Sequence, residues 1–170
     1  MTTITREVRI NAPKEKVWDI LADFGNIYLF NPNVPTSYLT SDQKRGVGTT
    51  RHCDVAGPFD GASIEERIIS WNEGESMEIE IYEGKKSPPF KKAIASLRVS
   101  EDRGETVVTG TLAYTLKMGP LGYMMDKFMV ASQFNKAWTG VLAGLKHYAE
   151  TGQPIEDPKV VDFTPVAVVA

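Results

Sequence analysis

The sequence predicts an α+β domain in which a curved antiparallel sheet wraps around one long C-terminal helix. Three observations predict it. Residues 120–151 hold no proline after Pro120, and at 100° per residue Leu121, Met124, Phe128, Ala131, Phe134, Trp138, Val141, Leu142, Leu145 and Tyr148 fall on one broad arc, with Asp126, Gln133, Lys136, His147 and Glu150 opposite. The hundred residues before this helix read as strands joined by short turns, which gives antiparallel pairing. No other segment is helical enough to cover the apolar arc, so the sheet must do so.

In chain order, Ile4, Arg6, Val8 and Ile10 alternate with Thr3, Thr5, Glu7 and Arg9 as a first strand. Asn11-Ala12-Pro13 opens a helix whose apolar face is Val17, Ile20, Leu21 and Phe24. Gly25 is its expected end, with a short second helix or turn over residues 26–30. Asn31-Pro32-Asn33 breaks the chain. Strands are expected over 34–40, from Gly46 through Val55, over 62–71, 77–82, 91–100 and 106–117, with turns at 57–61, 72–74, 85–89 and 102–104. Gly152 closes the long helix. This places one domain at 1–152 and an extended tail at 153–170, which carries three prolines and an apolar finish. The tail is expected to pack on the body, swap onto a neighbour or hang loose. Gly140 and Gly144, on the polar side of the wheel, either leave a shallow track for it or are simply tolerated.

Composition narrows the function. The chain has 170 residues, 42% hydrophobic, and a net charge of −3 without a basic block, so nucleic acid is not an expected partner. No apolar run reaches about 18 residues, so no membrane span is expected. The first residues lack an apolar signal core, and the single cysteine, Cys53, permits no internal disulfide; a cytoplasmic location fits both. Two histidines and one cysteine supply no N/S metal cluster, and Gly46-Val47-Gly48 precedes a strand rather than a helix, so neither metal nor other cofactor is expected.

His52-Cys53-Asp54 is not a nucleophile–base pair, because strand neighbours point to opposite faces. Arg51 shares a face with Cys53, and Glu66 shares one with Ile64 and Ile68, while Glu65 and Arg67 point outward. On 77–82 patterning turns Met77, Ile79 and Ile81 inward, with Tyr82 reaching the interior near the strand end. Val108, Leu112, Tyr114 and Leu116 share the inner face of the last strand, which offers the Tyr114 hydroxyl to an apolar space or packs it at the edge. Asn135 falls inside the apolar arc of the long helix and needs partners there. Met124, Met125, Phe128, Phe134 and Trp138 are the expected apolar lining, and equally what a core helix shows.

The run INAPKEKVWDILADFGN, then GVGTTR, then EERIISWNEGE, then GPLG before a helix ending GLKHYAETG, resembles the START-like superfamily, also called the SRPBCC or helix-grip group. It is most similar to the polyketide cyclase/dehydrase-like branch of small bacterial proteins, over residues 3–152. The resemblance implies a helix-grip fold with an apolar cavity between sheet and last helix, and puts Arg51 and Glu66 on the concave side; a structural ion pair at the sheet rim is the alternative. Family spacing would turn Glu78, Glu80 and Tyr82 inward instead of Met77, Ile79 and Ile81. The expected ligand contacts are Arg51, Cys53, Glu66, Ile68, Tyr82, Tyr114, Met124, Phe128, Asn135 and Trp138.

Three functions compete. The first is binding of a small apolar molecule such as a lipid, quinone or polyketide-like ring. The second is a cyclase or dehydratase in which Arg51 polarises a carbonyl and Glu66 or Tyr114 moves protons. An arginine beside Glu66 makes it a poorer base, which puts binding first. The third is a protein-interaction module, supported only by the apolar tail. A homodimer is among the expected partners.

Overall fold

The computed structural model describes residues 1–56, 61–86, 90–117 and 131–169. Strand β1 (Thr2–Ile10) leads to α1 (Lys14–Ala22) and a 3-10 helix (Phe24–Leu29), followed by β2 (Thr36–Leu39), β3 (Thr50–Val55), β4 (Ala62–Asn72), β5 (Ser76–Lys85), β6 (Phe90–Asp102) and β7 (Glu105–Leu116). Helix α2 (Ala131–Thr151), a 3-10 turn (Pro158–Val160) and a two-residue strand β8 (Ala167–Val168) complete the order. Among the described residues the sheet has eight strands in the order β2-β3-β4-β5-β6-β7-β1-β8, antiparallel throughout. Residues 120–130 of the expected long helix lie outside the described residues; the rest forms α2, with Gly152 at positive φ closing it and its N–H on the Tyr148 carbonyl.

Inward alternation builds the core. Ile4, Val8 and Ile10 of β1 face Val108 and Leu112 of β7, and Leu142 and Leu145 of α2 close over them. The pattern on β5 resolves towards plain periodicity, with Met77 and Ile79 buried. Two irregularities break strict alternation between β4 and β5. Glu65 pairs with Glu83 and Glu66 with Ile81, which leaves Tyr82 as an extra residue; Ile68 pairs with Ile79 and Ser70 with Glu78, which leaves Ile69 extra.

Three expectations change. The helix ends at Ala22 rather than at Gly25, and Gly25 lies buried in the 3-10 helix. Its role is close approach: a Cβ there would sit 2.9 Å from Leu39 Cγ. Gly46 and Gly48 both adopt positive φ, so the third strand starts only at Thr50. Gly140 and Gly144 are buried rather than polar-facing, because α2 is covered on both sides through its middle. A Cβ on Gly144 would fall 1.9 Å from the Phe30 carbonyl oxygen and 2.7 Å from Ile155, and one on Gly140 3.3 Å from Phe163. The glycines are the track, and the tail packs on the body: Ile155 N–H donates to the Leu29 carbonyl, Phe163 lies on Gly140, and β8 pairs with Arg6 and Glu7 of β1.

Candidate functional site

Between the concave side of the sheet and α2 lies a cavity of about 150 Å³. Its floor is sheet: Met77, Ile79, Ile81, Ala95, Leu97 and Leu112. Its roof is α2, through Phe134, Ala137, Trp138 and Val141, and one wall is Phe24, Ile27 and Phe30 of the segment after α1. Trp138 is seated by an absent side chain: a Cβ on Gly110 would come 3.1 Å from its ring, and the indole Nε1 donates to the Gly110 carbonyl at 3.0 Å. Asn31 and Asn33 close the edge beside α2. Asn33 Nδ2 donates to the Ala137 carbonyl at 3.0 Å and to Asn31 Oδ1 at 3.1 Å, and Ala56 N–H donates to the Asn33 carbonyl at 2.9 Å. A larger groove of about 550 Å³ beside α1 lies on the outer surface and carries Glu15, Asp19 and Asp23.

One ion pair interrupts the apolar lining. Arg51 on β3 and Glu66 on β4 are register partners, and strand parity turns both inward. Arg51 Nε donates to Glu66 Oε2 at 2.5 Å, and Nη1 donates to the Phe24 carbonyl at 2.9 Å. The guanidinium lies 3.9 Å from the centroid of the Phe24 ring. Burial pulls the guanidinium pKa down, and the Glu66 carboxylate beside it outweighs this, so the net direction is up. Cys53 donates through Sγ to Glu66 Oε2 at 3.5 Å. Burial first, and then the Glu66 charge, push the thiol pKa far above its ordinary value, so Cys53 is a neutral thiol and no nucleophile.

Of the residues expected to contact a ligand, Arg51, Glu66 and Trp138 line this cavity. Cys53, Ile68 and Tyr114 face inward but are packed into the core, Tyr114 edge-on to Phe90 and Phe134. Tyr82 does not reach inside. It is the extra residue of the β4–β5 irregularity, points outward at 41% exposure and lies under the Arg67 guanidinium at 4.5 Å. Asn135 is not a cavity group either: its Oδ1 accepts from Arg6 Nη2 and its Nδ2 donates to the Ala131 carbonyl at 2.7 Å. Met124 and Phe128 lie outside the described residues. Outward Glu65 pairs with His52 at 2.5 Å and raises the His52 pKa, ahead of the opposing effect of burial and the further help of Asp54.

Two polar clusters escaped sequence reasoning. Arg6, buried in the inner face of β1, is held by Asn135, by Thr139 Oγ1 at 3.1 Å and by its neighbour's carbonyl at 2.8 Å. Its place in the alternation Ile4, Arg6, Val8, Ile10 was the available signal. Glu73, in the turn between β4 and β5, accepts from the indoles of Trp18 at 2.8 Å and Trp71 at 2.9 Å and pairs with Arg45. The hydrogen bonds from Arg45 and Trp18 pull its pKa down to about 2. No motif marks that cluster, because Trp71 faces α1 only after the irregularity at Ile69 reverses the strand's parity. Among the described residues no group of three His, Cys, Asp or Glu is placed to hold a metal, and no helix is long and apolar enough to cross a membrane.

The family model described as polyketide cyclase / dehydrase and lipid transport matches residues 1–150. No curated protein sequence matches the chain. Similar solved structures include a protein of Thermus thermophilus (18% identity, TM-score 0.71, covering 87% of this chain and 97% of that one). A START superfamily protein from Mycobacterium smegmatis shares 15% identity at TM-score 0.66, covering 86% and 96%. The major latex-like protein 151 of Panax ginseng shares 14% at TM-score 0.68, covering 87% and 97%. At these identities the likeness shows the fold: a curved antiparallel sheet around a C-terminal helix, the helix-grip arrangement.

Proposed function

Because the chain belongs to the polyketide cyclase / dehydrase and lipid transport family, we propose that it binds a small, largely apolar molecule in the cavity between the sheet and α2. The observation that carries this reading is the cavity itself, walled by aliphatic and aromatic side chains around one buried ion pair. A volume of about 150 Å³ favours a compact ring, quinone-like or polyketide-like, over an extended lipid; a dry apolar cavity of about that size in another protein takes up benzene. Binding stands ahead of cyclase- or dehydratase-like turnover because the carboxylate that would move protons is held in a buried ion pair with Arg51.

Toluene tests the reading. Titrated in a sealed calorimeter, the protein should take up toluene and melt at a higher temperature with it, since a ligand of the native state stabilises it by mass action. Ala95→Phe projects a ring from the inner face of β6 into the cavity. It should remain folded and lose toluene uptake. Unchanged uptake by the folded variant would place toluene elsewhere and remove the cavity from consideration.

A further inference from the structure

The polar end of the cavity points to the ligand's own polar group. Glu66 is 7% exposed and lines the cavity. Among the described residues its Oε2 accepts from Arg51 and Cys53, whereas none donates to Oε1. Among the described residues no side-chain oxygen or nitrogen is both sealed from open space and unpartnered. Oε1 is therefore not walled in; the open space beside it is the cavity. A buried acceptor facing an apolar chamber stays unsatisfied until something donates to it.

Charge then selects the donor. Arg51 is already neutralised by Glu66. A ligand carboxylate would bring a second negative charge against Glu66, and a ligand ammonium would leave a net positive charge; each is expensive against a largely apolar lining. A neutral hydroxyl donates without either cost. Phe24, Phe30, Phe134 and Trp138 provide ring-faced walls, and the volume holds about one ring. We propose that the ligand is a neutral, hydroxyl-bearing aromatic of phenol class, its O–H donating to Glu66 Oε1 and its ring lying against those aromatic walls. This rests on the binding reading above and adds the identity of the head group.

The test compares three probes with the same body: toluene, para-cresol and para-toluate, titrated at neutral pH. Para-cresol should bind about tenfold or more tighter than toluene, the gain of a hydrogen bond to a charged acceptor. Para-toluate should bind more weakly than toluene. In Glu66→Gln, where Arg51 loses its counter-charge, para-toluate should overtake toluene. Equal binding of toluene and para-cresol by the wild type, or para-toluate matching para-cresol, overturns the head-group assignment while cavity binding stands. Failure of all three probes overturns both. If Glu66→Gln does not fold, the wild-type series decides alone.

Discussion

At the scale of single residues, the chain's decisive pair is Arg51 with Glu66, both nine-tenths or more buried and bonded at 2.5 Å. Breaking such a pair leaves an uncompensated charge in the core, whereas replacing both partners by apolar groups is often neutral or stabilising. Arg51→Met should therefore destabilise the protein by about 3–5 kcal/mol in urea unfolding, and Arg51→Met with Glu66→Leu should recover most of that loss. A double variant as weak as the single one would show that the hydrogen bond to the Phe24 carbonyl and the contact with its ring, rather than charge balance, hold the site. This pair was legible in the sequence because period-two alternation fixes which residues share a strand face, and the family resemblance put that face on the concave side. Tyr82 was misplaced: the alternation that turns Met77 and Ile79 inward already turns it outward, and the reach into the interior expected at the strand end is not made, since Tyr82 is the extra residue of the irregularity and lies 41% exposed. Asn135 was read as a buried pocket group in need of partners; it is half-buried outside the cavity, and its partner, Arg6, sits 129 residues away.

At the scale of elements, α2 shows what a helical wheel can and cannot say. The wheel located the face that meets the sheet, including Trp138, Val141, Leu142 and Leu145. By angle it put Gly140 and Gly144 on the side away from the sheet, and it could not show that this side is covered too, because close approach of another backbone leaves no hydrophobic signature. Space separates the two glycines. Gly144→Ala would drive its methyl group into the Phe30 carbonyl, so the backbone has to move, and a loss of about 1–3 kcal/mol or more is expected. Gly140→Ala meets only side-chain atoms of Phe163, Pro32 and Asn33, none nearer than 3.3 Å, and gains about 1 kcal/mol of helix propensity, so its net change should be near zero. Thermal melts of the two variants check this; equal losses would mean that the segment at 30–33 does not rest on the helix at Gly144. The clamp of Glu73 on Trp18 and Trp71 was equally illegible, as it joins a turn, a strand and α1 through partners that only the folded sheet brings together.

At the scale of the whole molecule, element order fixed the architecture: strand, helices, meander and helix admit few arrangements when sequential strands pair and one long apolar face needs covering. A cavity is different. Its walls are ordinary core residues, and whether they meet or leave about 150 Å³ between them depends on backbone curvature that composition does not encode. The same topology has a consequence for how the chain reaches its fold. Strands β2 to β7 each pair with the next in sequence, so they can zip locally, but β1 lies between β7 and β8, and even its nearer partner, β7, is about a hundred residues away, as Thr2 opposite Tyr114 shows. Loop closure over that span must come before any contact rewards it. The first strand made is thus expected to be among the last to dock, with α2 closing over it. Truncating Val8, which is buried against β7 and α2, should quicken unfolding and leave the refolding rate nearly unchanged, whereas Ile79→Val in the local meander should slow refolding. Stopped-flow rates over a urea series read both limbs directly, and a slowed refolding limb for Val8→Ala would mean instead that the sheet assembles around its own first strand.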